Sequence, residues 1–271
     1  MAYAISGRCG SIVISLSNSS LGAFNRCRRY WKYRYLDKWE PEQESADLKY
    51  GTAFHAAMAA YWTGERNTEE LVRIAFKEKH PQWMEETLRI MIKTYVVRWE
   101  DQDIGFTPLL VEDKQRIDVD GVTVTVVFDA LVRSSEGKIL LIEHKTTRSG
   151  DISTGGAWYL RKLTDTQTKI YAFAAAKLGF PVDAVVYDVI RRPTFKRKDN
   201  EEEVTNKPDA FLQRHVMKYS SDTLDSCIKD VKAAHKLMLY CEQTGTFDRN
   251  GDSCQAFNRE CEYYQECWGK E

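Results

Sequence analysis

Two acids and a lysine in the middle of the chain have spacing that suits metal-assisted hydrolysis. Asp129 lies in one β-branched run (122–132), and Glu143 and Lys145 lie in the next (138–146). Ser134-Ser-Glu-Gly-Lys138 between them reads as a tight turn. A hairpin centred on Glu136 sets Asp129 opposite Glu143, and cross-strand partners have Cβ atoms roughly 4.5–5.5 Å apart. Strand side chains alternate, so Glu143 and Lys145 share a face while His144 points away. Two carboxylates this close repel each other unless a cation lies between them. Hard oxygen ligands suit Mg²⁺ or Mn²⁺. Such an ion can hold a phosphodiester and make water a better nucleophile. Lys145 can orient that water or offset charge on the phosphorus centre. The same three residues can also form an ordinary cross-strand salt bridge, and their spacing alone does not choose.

A second cluster sits at the two ends of the chain. Cys27 stands alone, and Cys254-x6-Cys261-x5-Cys267 occupies the C-terminal segment. No signal peptide or membrane-spanning run is apparent, so the expected location is cytoplasmic. A disulfide framework does not fit that reducing compartment. Metal or cluster binding is the better account of these four cysteines, while Cys9, Cys227 and Cys241 read as ordinary thiols. Common zinc sites use close Cys-x(2–4)-Cys pairs, which this spacing lacks.

The elements that must position these groups are legible as periodicity. Residues 1–103 read as mainly helical: a capped, aromatic-rich helix from Ser17 or Asn18 to Leu36, a second over 50–62, and a third stretch over 67–100 broken at Pro81. Strands follow over 109–118 and 122–132, joined by the turn signal Asp120-Gly121, and then over 138–146. A helix over 156–178, a strand over 182–190, a polar loop over 191–208 and an edge strand over 211–219 complete an α/β core at 104–220. A helix over 221–243 and the cysteine segment make up 221–271. The whole is expected to be one domain, 1–271.

Composition narrows the function little. The chain has 271 residues, 43% hydrophobic and 29% charged, with a net charge of −1. Global basicity is therefore absent, but basic residues cluster at Arg26, Arg28, Arg29, Lys32 and Arg34, and again at Arg191, Arg192, Lys196, Arg197 and Lys198. Each cluster is either a nucleic-acid contact or a solvated face.

Asp129 followed by Glu143-x-Lys145 on the next strand resembles the PD-(D/E)xK nuclease superfamily. Gln167-Thr-Lys-Ile-Tyr171 resembles the Gln-x-x-x-Tyr motif of its RecB-like branch, and residues four apart share a helix face. Gly51-Thr-Ala-Phe-His55 resembles that branch's Gly-x-x-x-His, whose histidine binds metal. Taken alone, His55 also reads as a core histidine, and Gln167 and Tyr171 as helix packing. The family usually has glycine three residues before the aspartate; here it is Val126. The cysteines resemble the iron–sulfur staple of AddB-type and CRISPR-associated RecB-like exonucleases, with a longer first gap in the C-terminal trio.

The resemblance implies a restriction-endonuclease-like α/β core, a central mixed sheet flanked by helices. It implies one or two Mg²⁺ or Mn²⁺ ions on His55, Asp129, Glu143 and the backbone carbonyl of His144. Lys145 would assist the attack, and Gln167 and Tyr171 would position DNA or the lysine. Glu112 is a candidate acid beyond the direct ligands. Cys27, Cys254, Cys261 and Cys267 would hold a [4Fe–4S] cluster, with zinc as the alternative. Arg26, Arg28, Arg191, Arg192, Lys196 and Arg197 are candidate DNA contacts. The implied activity is exonucleolytic cleavage of DNA ends, with single strands preferred, in phage or prokaryotic recombination, repair or CRISPR-type processing. The partners it implies are DNA and a helicase, recombinase or CRISPR-adaptation protein, with no membrane; relatives that thread DNA through a ring add an oligomer. No Gly-x-x-x-x-Gly-Lys-Ser/Thr motif is present, so unwinding falls to a partner. The rival readings are a non-catalytic DNA-end-binding module of the same fold and a zinc-stabilised scaffold.

Overall fold

A computed structural model describes residues 16–39, 46–77, 80–148, 150–193, 200–256 and 260–269. Along the chain run β1 (Leu16–Ser17), α1 (Asn18–Arg26), α2 (Arg28–Trp31) continued by a π-helical turn (Lys32–Leu36), α3 (Ala46–Trp62), α4 (Thr68–Ala75) and α5 (Gln82–Asp103). Then come β2 (Thr107–Val119), β3 (Val122–Arg133), β4 (Ile139–Thr147), α6 (Ala157–Leu163), α7 (Gln167–Lys177) and β5 (Ala184–Arg191). The C-terminal part holds α8 (Asn200–Asn206), β6 (Leu212–Met217), α9 (Ser221–Thr244) and α10 (Tyr264–Trp268). The chain forms two compact units: residues 1–39, 116–125 and 229–271 in one, and 40–115 and 126–228 in the other.

The larger unit is built on a mixed sheet in the order β3-β4-β5-β6, with β2 paired to β3. The β3–β4 hairpin takes the register expected for a turn centred on Glu136, from Arg133 opposite Ile139 to Ala130 opposite Ile142. The β4–β5 pair is parallel, so α6 and α7 form the long crossover that parallel neighbours require. β6 lies antiparallel to β5 at the end of the order, an edge strand as its short alternating pattern predicts. Helices α3 and α5 pack on the sheet through Tyr50, Phe54, Met58, Leu88 and Ile92 against Ala130, Ile142 and Val186, all in one buried cluster. Burying each such side chain is worth about 1.5–3 kcal/mol.

In the smaller unit, Ser17 caps α1 by accepting the Ser20 N–H, and β1 runs parallel to the start of β3, with Leu16 beside Val124. Asp120 and Gly121 both have positive φ, as a two-residue hairpin turn demands.

Three elements differ from expectation. The helix expected over 18–36 breaks at Cys27, whose φ of −163° and ψ of 121° are extended, before α2 resumes. The helix expected over 156–178 splits in two, and Asp165 accepts the Gln167 N–H at the start of α7. Within the polar stretch 191–208, residues 200–206 are helical because Val204 inserts fully into the core. Among the described residues no helix is long and apolar enough to cross a membrane.

Candidate active site

Strands β2, β3 and β4 and helices α3 and α7 bring a compact polar group together in the larger unit. Helix α3 presents Gly51 and His55 one turn apart on an open cleft of about 600 Å³, also lined by Asp47, Thr52, Glu112 and Thr146. A Cβ at Gly51 would meet Thr146 Oγ1 at an ordinary 3.6 Å, so sterics alone do not require the glycine. His55 Nδ1 lies 3.3 Å from Asp129 Oδ1 and 3.5 Å from Glu112 Oε1. One ligand atom from each of these three residues falls within 4.8 Å of the others. Imidazole plus two carboxylates is a donor set that can hold a divalent cation.

Asp129 sits where the β3–β4 ladder ends. Its Oδ2 accepts the His144 backbone N–H at 2.8 Å, in place of a strand partner. Glu143 and Lys145 lie on one face, as alternation dictates. Lys145 Nζ is 2.5 Å from Glu143 Oε1, and Gln167 Nε2 donates to the same oxygen at 2.8 Å. Glu143 is fully buried, and its Oε2 has no hydrogen-bond partner. A buried carboxylate oxygen left unpaired is costly, and a cation beside it would remove that cost. The residues present therefore fit a divalent ion. Tyr171 is buried one turn after Gln167, its ring edge-on to Phe128 at 5.8 Å.

The electrostatics follow from burial and pairing. Burial, reinforced by the charge of Asp129, pushes the Glu143 carboxyl up to about 7. Burial opposes charge on His55, but its contacts with Asp129 and Glu112 outweigh that and lift it to about 10. Burial likewise opposes ionisation of Asp129, yet His55 brings its carboxyl below the usual range. Burial disfavours the Lys145 ammonium, but Glu143 and Asp129 hold it well above the usual lysine value.

Glu112, a candidate acid beyond the direct ligands by its place in the sequence, is an exposed strand acid that the fold sets beside His55 and Asp129. Its backbone has φ of 45° inside β2, a conformation a non-glycine residue rarely adopts. Strain of this kind concentrates at functional sites. No local sequence signal marks it. Glu143 makes its contacts with Lys145 and Gln167 and lies outside the His55–Glu112–Asp129 trio. The His144 ring points away, fully buried, and accepts from Trp62 Nε1 at 2.9 Å.

The expected DNA contacts have varied fates. In the larger unit, Arg192 and Arg148 reach one oxygen of Asp47, at 3.0 and 2.8 Å, in a cleft of about 250 Å³. Arg191 donates to the carbonyls of Gly150 and Ala210. Lys196 and Arg197 lie outside the described residues. In the smaller unit, Arg28 pairs with Asp248 at 2.6 Å and Arg26 covers the Tyr30 ring at 4.4 Å.

Cys27, Cys254, Cys261 and Cys267 line one pocket of the smaller unit together with Arg26, Arg29 and Arg249. Cys27 reaches it because α1 ends there in extended backbone. Two buried donors, Arg26 Nε and Trp268 Nε1, belong to the same pocket's lining and have no acceptor. Unsatisfied donors beside four thiols fit an anionic, sulfur-rich group. Among the described residues the trio at His55 is the one set of potential ligands within 4.8 Å, so no three of these sulfurs approach that closely.

The chain resembles in fold an exonuclease candidate from Eubacterium rectale, at 12% identity and TM-score 0.50, over 89% of this chain and 85% of that one. A phage-related exonuclease from Haemophilus somnus 129PT aligns at 12% identity and TM-score 0.43, over 86% of this chain and 97% of that one. No curated protein matches. The sequence pattern of one family matches residues 15–267, nearly the full length, and by that match the chain belongs to the PD-(D/E)XK nuclease superfamily.

Proposed function

We propose that this chain is a divalent-metal-dependent deoxyribonuclease of the RecB-like branch that cuts DNA from its ends and prefers single strands. The observation that carries the reading is the cleft where His55, Glu112 and Asp129 converge beside buried Glu143 and its ion-pair partner Lys145. Superfamily members use divalent metals. Here His55, Asp129 and Glu143, with the His144 carbonyl and Glu112, would hold one or two ions. A divalent ion supplies charge stabilisation for the phosphodiester and favours attack by water. The chain's own residues do the rest. Lys145 orients the nucleophile and offsets charge, Gln167 fixes the Glu143 carboxylate, and Tyr171 braces that helix face. Arg192 and Arg148 line a neighbouring cleft that shares Asp47 and Thr146 with the first, and give it a cationic wall for the DNA backbone, where a substrate phosphate takes over from Asp47.

Residues 1–271 act as one nuclease domain, with Cys27, Cys254, Cys261 and Cys267 holding a [4Fe–4S] cluster. Tetrahedral zinc would bring its sulfurs to about 3.8 Å of one another. The two acceptor-less donors beside the four thiols support an anionic cluster there. Arg26 and Arg28 add positive charge for DNA near that pocket. The setting is cytoplasmic DNA recombination, repair or processing in a prokaryote or phage, where a partner supplies the ends.

The test is degradation of end-labelled single- and double-stranded DNA with Mg²⁺ or Mn²⁺, comparing anaerobically purified wild type with Lys145→Ala. Metal-dependent cutting that the variant loses, while it keeps its fold, is the expected result. Absence of cutting by folded, metal-loaded wild type on both substrates would sink the proposal.

A further inference from the structure

A row of buried polar side chains runs sideways across the sheet of the larger unit. His144 on β4 lies beside Asp188 on β5, and Asp188 lies beside Arg214 on β6. Direct neighbours across a ladder share a face, so these three side chains line up from the edge strand to the strand of the candidate site. The adjacent row, Glu143, Tyr187 and His215, occupies the opposite face.

Arg214 is the hub. Its Nε donates to Asp188 Oδ1 at 2.6 Å, and Nη1 and Nη2 donate to the two oxygens of Asp103 at 2.6 and 2.8 Å. Tyr95 donates to Asp188 Oδ2 at 2.6 Å, and Tyr61 to Asp103 Oδ2 at 2.9 Å. Both aspartates are buried, at 1% and 0% exposure. At the inner end Trp62 donates to His144 Nε2, while His144 Nδ1 lies 3.6 Å from Asp188, packed beside the carboxylate in the buried row without a hydrogen bond to it.

An apolar core of equal volume would hold this sheet at least as well, because desolvating two carboxylates and a guanidinium is expensive. What the polar set adds is direction. A forked guanidinium fixes both carboxylates in angle as well as distance. His144 separates Glu143 from Lys145 in sequence, and its own backbone N–H is the donor to Asp129. A turn of its peptide planes would therefore shift every one of those groups.

We propose that Arg214 is a positioning residue for the metal site, acting through Asp188 and His144 on the backbone that carries Glu143 and Lys145. The inference rests on the metal-site reading given above. Its test is direct binding of Mn²⁺ to the metal-free full chain, read by electron paramagnetic resonance of the unbound ion, alongside thermal melting. The variants are Arg214→Met, Arg214→Lys, His144→Gln and the Arg214→Met/His144→Gln double. Arg214→Lys keeps the charge but loses the fork, and serves where Arg214→Met does not fold.

Arg214→Met is expected to weaken Mn²⁺ binding about tenfold, the usual size of an outer-sphere effect. Arg214→Lys should fall between it and wild type. The double variant should bind no more weakly than the worse single, because both changes cut one chain of contacts. A folded Arg214 variant that melts earlier but binds Mn²⁺ like wild type overturns the inference, as does full additivity in the double. Wild type that binds Mn²⁺ with this pattern yet cuts no DNA overturns the nuclease reading and supports the positioning role. Wild type that binds no Mn²⁺ overturns both.

Discussion

Trp62 donates its indole N–H to His144 Nε2 at 2.9 Å in a fully buried site. An indole nitrogen only donates, so Nε2 must accept and neutral His144 carries its proton on Nδ1. Protonating the ring would require Nε2 to give up that bond. Burial pushes the His144 pKa down to about 4.

The contribution of His144 to stability should therefore fall on acidification, while the raised carboxyl of Glu143, protonated earlier in the folded chain, opposes it over the same range. Between pH 6.5 and about 4 the unfolded chain takes up a proton at residue 144 that the folded chain refuses. A histidine with a depressed folded pKa loses stability as pH drops through this window and costs nothing above it. From pH 6.5 to 5 the loss at His144 is about 1.6 kcal/mol. Urea midpoints of metal-free wild type and His144→Gln at both pH values should show it as a difference between the two proteins, since Glu143 titrates alike in both. His144→Gln keeps an acceptor for Trp62 and should lose that much less; equal losses in the two proteins would refute the assignment.

Metal binding should release protons. The ligands must be a carboxylate and a neutral imidazole, yet without metal Glu143 titrates near 7 and His55 near 10. Mn²⁺ affinity should then weaken as pH falls from 8 to 6, by about tenfold per pH unit for each proton displaced. Calorimetry in two buffers of different ionisation enthalpy measures the protons released. An affinity independent of pH and buffer would contradict the site.

Glu112 should trade stability against metal binding. Its φ of 45° costs a non-glycine residue about 1–2 kcal/mol. Glu112→Gly relieves that strain and removes a carboxylate. Melting temperature should hold or rise while Mn²⁺ binding weakens about tenfold. A variant that melts earlier and binds metal normally would make Glu112 a structural residue only.

The cysteine pocket gives a visible readout. Anaerobically prepared protein should show a broad visible band, and Cys261→Ala should lose the band together with solubility and melting temperature. Lys145→Ala should keep both. Colourless protein carrying stoichiometric zinc would replace the cluster with zinc, whose filled d shell absorbs nothing there.

The sequence alone determined whatever depends on neighbouring residues. The Asp120-Gly121 turn and the turn around Glu136 follow from local chemistry, and with them the register that sets Ala130 opposite Ile142. Alternation then divides Glu143 and Lys145 from His144, and helical period sets Gln167 and Tyr171 one turn apart. Only the tertiary structure decided what meets across distant elements. Glu112 joins His55 and Asp129 at a backbone position of positive φ in β2 that no composition rule marks. Arg214 lines up with His144 because β4–β5 register depends on how α6 and α7 pack, and β5–β6 register on the apolar residues that drop into the core. Cys27 leaves its helix in extended backbone to reach the other cysteines, against a local pattern that favours continuation. Local preferences are worth tenths of a kcal/mol per residue, and burial of whole side chains overrides them.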